Sequence, residues 1–285
     1  MSSQIEELTI LCASEGGKPY MDSKVEIQRA INGVKLSIEA LSSFEGSEVA
    51  MGHTASSANR MAYTFKEPIG VVAAVSAFNH PFNLAVHQVI PAIAVGCSVI
   101  IKPATQTPMS AVKLIEILAE AGLPKGWAQA VVCGREAGEL LATSPKINFL
   151  TFIGSGSVEH GGVAPVIVEA DADIDAMIPD LGKGGFYHAG QVCVSVQRVY
   201  VHDSIVDEVA SKLADYASKL VVGDQLDPKT EVGPLINNNE VNRVEEWVNE
   251  AKEKGGKILT GGNRISASCY EPTVILNPAD DALVS

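Results

Sequence analysis

Ile27, Ile31, Val34, Ile38 and Leu41 recur at alternating steps of four and three, the spacing of one face of an amphipathic helix. A polar, irregular stretch follows over 45–65. The period then changes. Residues 69–75 form a continuous apolar run, Ile69-Gly70-Val71-Val72-Ala73-Ala74-Val75, which predicts a strand buried on both faces. A helical stretch over 82–95 leads to a second such strand over 97–101. Thr107-Pro108 predicts a helix start, with Thr as cap and Pro in the first turn, and Ala121-Gly122 marks its end. Residues 130–133 and 149–153 read as further strands with a short helix between them. Beyond them, 166–168 and 199–201 read as strands, and 203–220 and 238–254 as helices, the last stopped by Gly255-Gly256. This alternation predicts an α/β protein: a doubly wound parallel sheet in the first half and a second α/β domain after it. Gly, Ser and Glu cluster over 155–162, and Gly154-Ser155-Gly156-Ser157 has the composition of a linker. The expected domains are therefore 1–155 and 156–285.

Composition narrows the choice of partners. A length of 285 residues with 46% hydrophobic content suits two well-buried domains. The formal net charge of -13 repels phosphate polymers and anionic surfaces, which excludes nucleic acid and membrane as the main partner. A single dinucleotide stays compatible, because backbone amides and helix N-termini hold phosphates locally. No apolar run is long enough to span a bilayer, and the N-terminus lacks a secretory pattern. The five cysteines (Cys12, Cys97, Cys133, Cys193 and Cys269) are odd in number and include no CxxC. Neither a disulfide framework nor a metal site is expected, and a reducing, cytoplasmic setting is.

The candidate chemistry centres on His188-Ala189-Gly190-Gln191-Val192-Cys193-Val194-Ser195. A thiol attacks carbonyl carbon as thiolate, so a nucleophilic Cys needs a polar, partly open setting. A lone Cys is more often a small buried hydrophobe. Asn79 follows the first buried strand and Lys102 ends near the second, where ligands gather in an open α/β sheet. Asn79 suits a turn or cap equally well, and Lys102 a solvated strand end. Gly154-Ser155, after a later strand, lets a backbone approach a ligand. Glu159 on local grounds is a solvated loop carboxylate.

Taken together, several segments resemble the aldehyde dehydrogenase superfamily. They run in family order from Glu15-Gly16-Gly17-Lys18-Pro19 through Glu67-Pro68-Ile69-Gly70-Val71-Val72, the Asn79 loop, Ile101-Lys102-Pro103-Ala104 and Ala121-Gly122-Leu123-Pro124. Phe152-Ile153-Gly154-Ser155, Glu159-His160-Gly161-Gly162, Gly190-Gln191-Val192-Cys193 and Glu231-Val232-Gly233-Pro234 complete the series. The resemblance implies oxidation of an aldehyde to a carboxylic acid with NAD or NADP. Cys193 would form a thiohemiacetal, with its oxyanion held by the Asn79 amide and the Cys193 backbone N–H. Hydride would pass to the nicotinamide, and Glu159 would activate the water that hydrolyses the thioester. Lys102 would contact the adenosine ribose, Gly134 and Gly138 would flank the adenine, and Gly154 with Ser155 would sit near the pyrophosphate. Thr105, a neutral residue where some relatives carry an acid, leaves NADP open. Phe78 is placed with the cofactor contacts and, with Tyr187, near the aldehyde.

The chain also departs from the family pattern. A helix and a strand of the family lie between the Gly154-Ser155 and Glu159 motifs, whereas Gly156-Ser157-Val158 stands there in this chain. Three residues span at most about 10 Å, too little to cross a sheet. Both ends stop short of the family's length. The expectation is an abridged chain, engineered or aberrant in origin, that self-associates through exposed edges. The alternative to a working dehydrogenase is an impaired fragment that binds nucleotide or serves as a scaffold.

Overall fold

A computed structural model of the chain describes residues 1–154 and 164–284. They divide into two compact units: residues 1–5 with 26–153, and residues 6–25 with 154 onward. Residues 6–25, grouped by sequence with the first domain, therefore pack with the later part of the chain.

In the first unit, β1 (Glu48–Val49) pairs antiparallel with β2 (Ala62–Tyr63) within the segment read as irregular. The unit then alternates β3 (Val71–Val75), α3 (Pro81–Ala94), β4 (Ser98–Lys102), α4 (Met109–Glu120), β5 (Ala128–Ala130), α5 (Arg135–Thr143) and β6 (Phe149–Phe152). Four strands form one parallel sheet in the order β5-β4-β3-β6, the Rossmann-like arrangement expected from the alternation. The apolar runs explain the centre: Val72, Ala73, Ala74, Val99 and Ile101 are buried. Register places Val75 beside both Lys102 and Phe152, so β3, β4 and β6 end on one edge. β5 lies earlier than the 130–133 expected, because the ladder to β4 runs through Ala128–Ala130. The Gly70 φ of +116° and its contact with the Asn148 side chain leave no room there for a Cβ.

Two polar side chains hold this edge. Gln88 on α3 donates through Nε2 to Val75 O at 3.0 Å and to Thr151 O at 3.3 Å, tying β3 to β6. Those strands flank the point where strand order reverses, the ligand side of such sheets. Glu26, 2% exposed, caps α3: its Oε1 accepts from Phe82 N and Asn83 N, both at 2.9 Å. Pro81 opens the helix with no N–H of its own, so Glu26 satisfies the next two amides. Thr107 does not cap α4, as its hydroxyl lies 3.5 Å from Phe78 O and Pro108 takes the cap position.

Glu26 stands on α2 (Tyr20–Leu41), which follows α1 (Ile5–Gly16). The stripe read on α2 is buried only at its start: Ile27 is enclosed, whereas Ile38 is 63% exposed.

The second unit contains β7 (Val166–Val168), α6 (Ile174–Phe186), β8 (Val199–Val201), α7 (Val206–Ser218), α8 (Asn238–Glu253), β9 (Lys257–Thr260) and β10 (Val274–Leu276). β7 and β8 are parallel, and β9 and β10 antiparallel. The sequence reading missed α6, which carries Pro179 and three glycines. Gly182 is needed because the Tyr216 ring of α7 lies against it. Lys254, at the end of α8, binds Asp281 Oδ2 at 3.0 Å, and Glu250 Oε2 accepts Leu283 N at 3.0 Å. Hydrogen bonding to Lys254 holds the Glu250 and Asp281 carboxyls below their usual range.

Two outcomes follow from these contacts. Glu26→Ala strands two amides in a buried place and is expected to cost about 1–3 kcal/mol by urea unfolding, with Glu26→Gln losing less because it keeps an acceptor. An unchanged Glu26→Ala midpoint would remove the capping role. Lowered carboxyl pKa values mean that the 250–254–281 contacts stabilise above the unfolded carboxylate range and fade as pH falls below about 4. Hydrogen-exchange protection of the Leu283 amide is thus expected to drop on acidification and in Lys254→Met at pH 6. Protection that is independent of both would show the tail is held otherwise.

Candidate functional site

In the second unit, Cys193 and Val194 form the corner of a turn closed by Ser195 N–H donating to Val192 O at 3.0 Å. Cys193 is exposed, so it is not the core residue that a lone Cys could be. Before it the backbone turns left-handed at three successive residues: His188 (φ 51°, ψ 41°), Ala189 (φ 54°, ψ 34°) and Gly190 (φ 74°). Glycine accepts this freely, but His and Ala each lose about 1–2 kcal/mol. Such strain persists only where the surroundings over-determine the conformation.

The surroundings here are specific. His188 is fully buried, and Ala189 packs against the cluster of Leu235, Val241, Val248 and Tyr270. The Ser195 hydroxyl donates toward Gly185 O at 3.1 Å and Gly184 O at 3.3 Å, and Val196 N–H donates to Gly184 O at 2.9 Å. Gln191 donates to His188 O from its backbone N–H at 3.1 Å and from Nε2 at 3.2 Å. Its Oε1 accepts from Ile236 N at 2.9 Å.

The 231–236 segment is fixed in turn. Glu231 Oε2 accepts Val221 N at 2.9 Å, and Leu235 N–H donates to Ser268 O at 2.8 Å. Gly17 has φ +71°, and a Cβ there would stand 2.8 Å from Pro234 O; a Cβ on Gly233 would strike Gly17 O. The Gly17-Lys18-Pro19 and Gly233-Pro234 motifs thus meet as backbones pressed together.

In the first unit, Phe78 and Asn79 are half-buried in the loop between β3 and α3. His80, next in the loop, has Nδ1 3.6 Å from Glu26 Oε2. Lys102, at the end of β4, donates from Nζ to Pro103 O at 3.1 Å. Its stem lies beside Gly138, where a Cβ would stand 3.2 Å from Lys102 Cε. Gly134 caps α5 with open space where a Cβ would go, and Gly138 N–H returns to Gly134 O at 3.1 Å. Thr105 is exposed, and Gly154 follows β6 by two residues. Ser155 and Glu159 lie outside the described residues. Three buried atoms near the sheet's carboxyl edge, Ser76 Oγ, Asn83 Oδ1 and Gln88 Oε1, have no hydrogen-bond partner among the described residues.

Sequence reasoning passed over Gln191, Ser195, Gln88 and Glu26. Gln191 and Ser195 lay within the quoted motif, and their flanking position was the available signal. Glu26 and Gln88 gave none, since their partners are remote in sequence. A cleft of about 420 Å³ beside α7, lined by Asp207, Ser211, Lys257 and Leu276, is bordered by none of the candidate residues.

Comparison with known proteins identifies the family of the chain. A model of the aldehyde dehydrogenase family matches residues 1–285. A 3-sulfolactaldehyde dehydrogenase of Priestia aryabhattai is 42% identical over 298 aligned residues, covering 99% of this chain and 62% of the relative. Aldehyde dehydrogenase 21 of Physcomitrella patens, solved in complex with the reaction product succinate, superposes with TM-score 0.92 at 36% identity, over 99% of this chain and 62% of that one. A glyceraldehyde-3-phosphate dehydrogenase of Methanocaldococcus jannaschii, complexed with NADP, gives TM-score 0.89 at 33% identity, over 96% and 63%. The chain thus spans a little over three-fifths of the length of the relatives it matches. By this match and by its parallel α/β sheet, the chain belongs to the aldehyde dehydrogenase family.

Proposed function

We propose that the chain oxidises an aldehyde to a carboxylic acid with NAD or NADP, residues 1–155 apart from 6–25 serving as dinucleotide-binding domain and 156–285 with 6–25 as thiol-bearing domain. The observation that carries this reading is an exposed cysteine at the corner of a strained, fully braced turn in a member of this family. Its thiolate attacks the carbonyl carbon to give a thiohemiacetal. The Cys193 backbone N–H and the Asn79 side-chain amide take the oxyanion. Bound dinucleotide supplies the hydride acceptor. Glu159 then activates water against the thioester on Cys193.

The first unit suits a dinucleotide. The open cap at Gly134 and the glycine under Lys102 let a ligand approach α5 and β4 closely. Unpartnered Ser76 Oγ and Asn83 Oδ1 supply polar atoms near the carboxyl edge. Lys102 and Thr105 are assigned to the adenosine ribose, Gly134 and Gly138 to the adenine, Gly154 and Ser155 to the pyrophosphate, and Phe78 to the cofactor face. Sulfolactaldehyde, succinate and glyceraldehyde 3-phosphate, named with three of the relatives, each carry an anionic group, whereas the lactaldehyde of another relative carries none. A short anionic aldehyde is the proposed substrate class. A cytoplasmic setting accords with cysteines that form no disulfide among the described residues. No helix of the described residues is long and apolar enough to cross a membrane.

Homo-oligomerisation is part of the same proposal. Ile167 and Tyr200 are register partners on β7 and β8, and they are 75% and 54% exposed. Apolar strand faces of this kind promote association.

Reduced-nicotinamide absorbance tests the activity. Sulfolactaldehyde, succinate semialdehyde and glyceraldehyde 3-phosphate, offered with NAD and then NADP, are expected to give turnover that Cys193→Ala abolishes. A folded protein without turnover on any pair would leave a nucleotide-binding scaffold as the reading. Sedimentation is expected to show self-association that weakens in Ile167→Lys, and a clean monomer at high concentration would sink the oligomer proposal.

A further inference from the structure

We infer that Gln191 is a positioning residue for Cys193, a clamp that holds the thiol-bearing turn on the 234–236 segment; this rests on the reading of Cys193 as nucleophile. The geometry is two-ended. Oε1 accepts the Ile236 amide at 2.9 Å while Nε2 donates to His188 O at 3.2 Å. His188 O is the carbonyl of the first left-handed residue, so the clamp grips the strained turn at its origin. Its other end is rigid: Leu235, next to Ile236, lies in the buried cluster with Val241, Val248 and Tyr270, and that cluster also receives Ala189.

Side-chain chemistry restricts the position. The bridge needs one acceptor and one donor on a single planar head, at the reach of two methylenes. Glutamate keeps the acceptor but turns a charged oxygen toward the His188 carbonyl. Asparagine is one methylene short, and alanine has neither group. Cys193 is two residues beyond this head and, being exposed, has little packing of its own to fix it. Its placement is therefore set by Gln191 on one side and by the Ser195 hydrogen bonds to Gly184 and Gly185 on the other.

Wild type, Gln191→Ala and Gln191→Glu decide the matter through two readouts that need no turnover. One is hydrogen exchange at the Ile236 amide. The other is the rate of Cys193 alkylation by iodoacetamide at one fixed pH, followed by peptide mass. Gln191→Ala is expected to exchange Ile236 about tenfold faster. It should also change the Cys193 alkylation rate by about threefold or more. Gln191→Glu is expected to keep the Ile236 protection, as the carboxylate still accepts. Where aldehyde turnover is present, Gln191→Ala should lower kcat about a hundredfold with the dinucleotide KM unchanged. A Cys193 alkylation rate that stays at the wild-type value in Gln191→Ala overturns the proposal, even if Ile236 loosens or the unfolding midpoint falls. If Gln191→Ala does not fold, Gln191→Met, which fills similar space with neither hydrogen-bonding group, takes its place. Absence of turnover in wild type removes the aldehyde-oxidising reading and leaves the two turnover-free readouts in force.

Discussion

The left-handed turn at His188-Ala189-Gly190 is the constraint around which the second unit is arranged. Two non-glycine residues in that conformation cost a few kcal/mol together, a sizeable share of a domain's net stability. The cost is offset by a buried His188, by Ala189 in the Leu235 cluster, and by paired hydrogen bonds on either side of Cys193. Relaxing the turn would forfeit these together. A thiol at the corner of such a turn can be solvent-exposed and still held in place, a combination that an unbraced loop does not give.

Three family motifs that are far apart in sequence therefore form one mechanical object. Gly17 needs its positive φ and missing Cβ because Pro234 O lies against it. Gly233 needs its missing Cβ because Gly17 O lies against it in return. Ile236, two residues beyond Pro234, then meets Gln191. The glycines are explained by backbone proximity, and the proximity is explained by what it supports.

Much of the fold was legible because period and length agreed. Val71–Val75 and Ser98–Lys102 are short apolar runs between turn residues, and both are inner strands of the parallel sheet. α7 and α8 carried helical periodicity with a glycine stop after the second. α6 was illegible because Pro179 and Gly182, Gly184 and Gly185 read as breakers. Tertiary packing overrides that propensity: Tyr216 fills the space over Gly182, and Val196 sits against Gly184. The Thr107 cap was misread because a buried hydroxyl aimed at another loop has the same local sequence as a cap. In the site, the local sequence left Cys193 between a buried core residue and an open thiol, and the structure exposes it. The clamps did not show, since Gln191 reaches across 45 residues and Glu26 across 56 and 57. One sequence without that contact gives no reason to prefer them to any other Gln or Glu.

The two units prepare for chemistry in different ways. In the thiol-bearing unit backbone strain is stored at the turn, where Gln191 and Ser195 are matched to partners, while the Tyr270 hydroxyl and Arg264 Nε are buried without a partner among the described residues. In the sheet-bearing unit the loop after β3 carries no left-handed non-glycine residue, and the buried polar atoms stand near the strand ends. Ser76 Oγ, Asn83 Oδ1 and Gln88 Oε1 are buried without a partner among the described residues. Each such atom costs about 1–3 kcal/mol if nothing satisfies it. Strain fixes an atom in place whether or not a ligand is bound, which is what a nucleophile requires. Unsatisfied polar atoms reward the arrival of a polar ligand, which is what an exchangeable cofactor requires. On the reading proposed above, strain at the Cys193 turn and orphaned polar atoms at the carboxyl edge of the sheet serve these two needs.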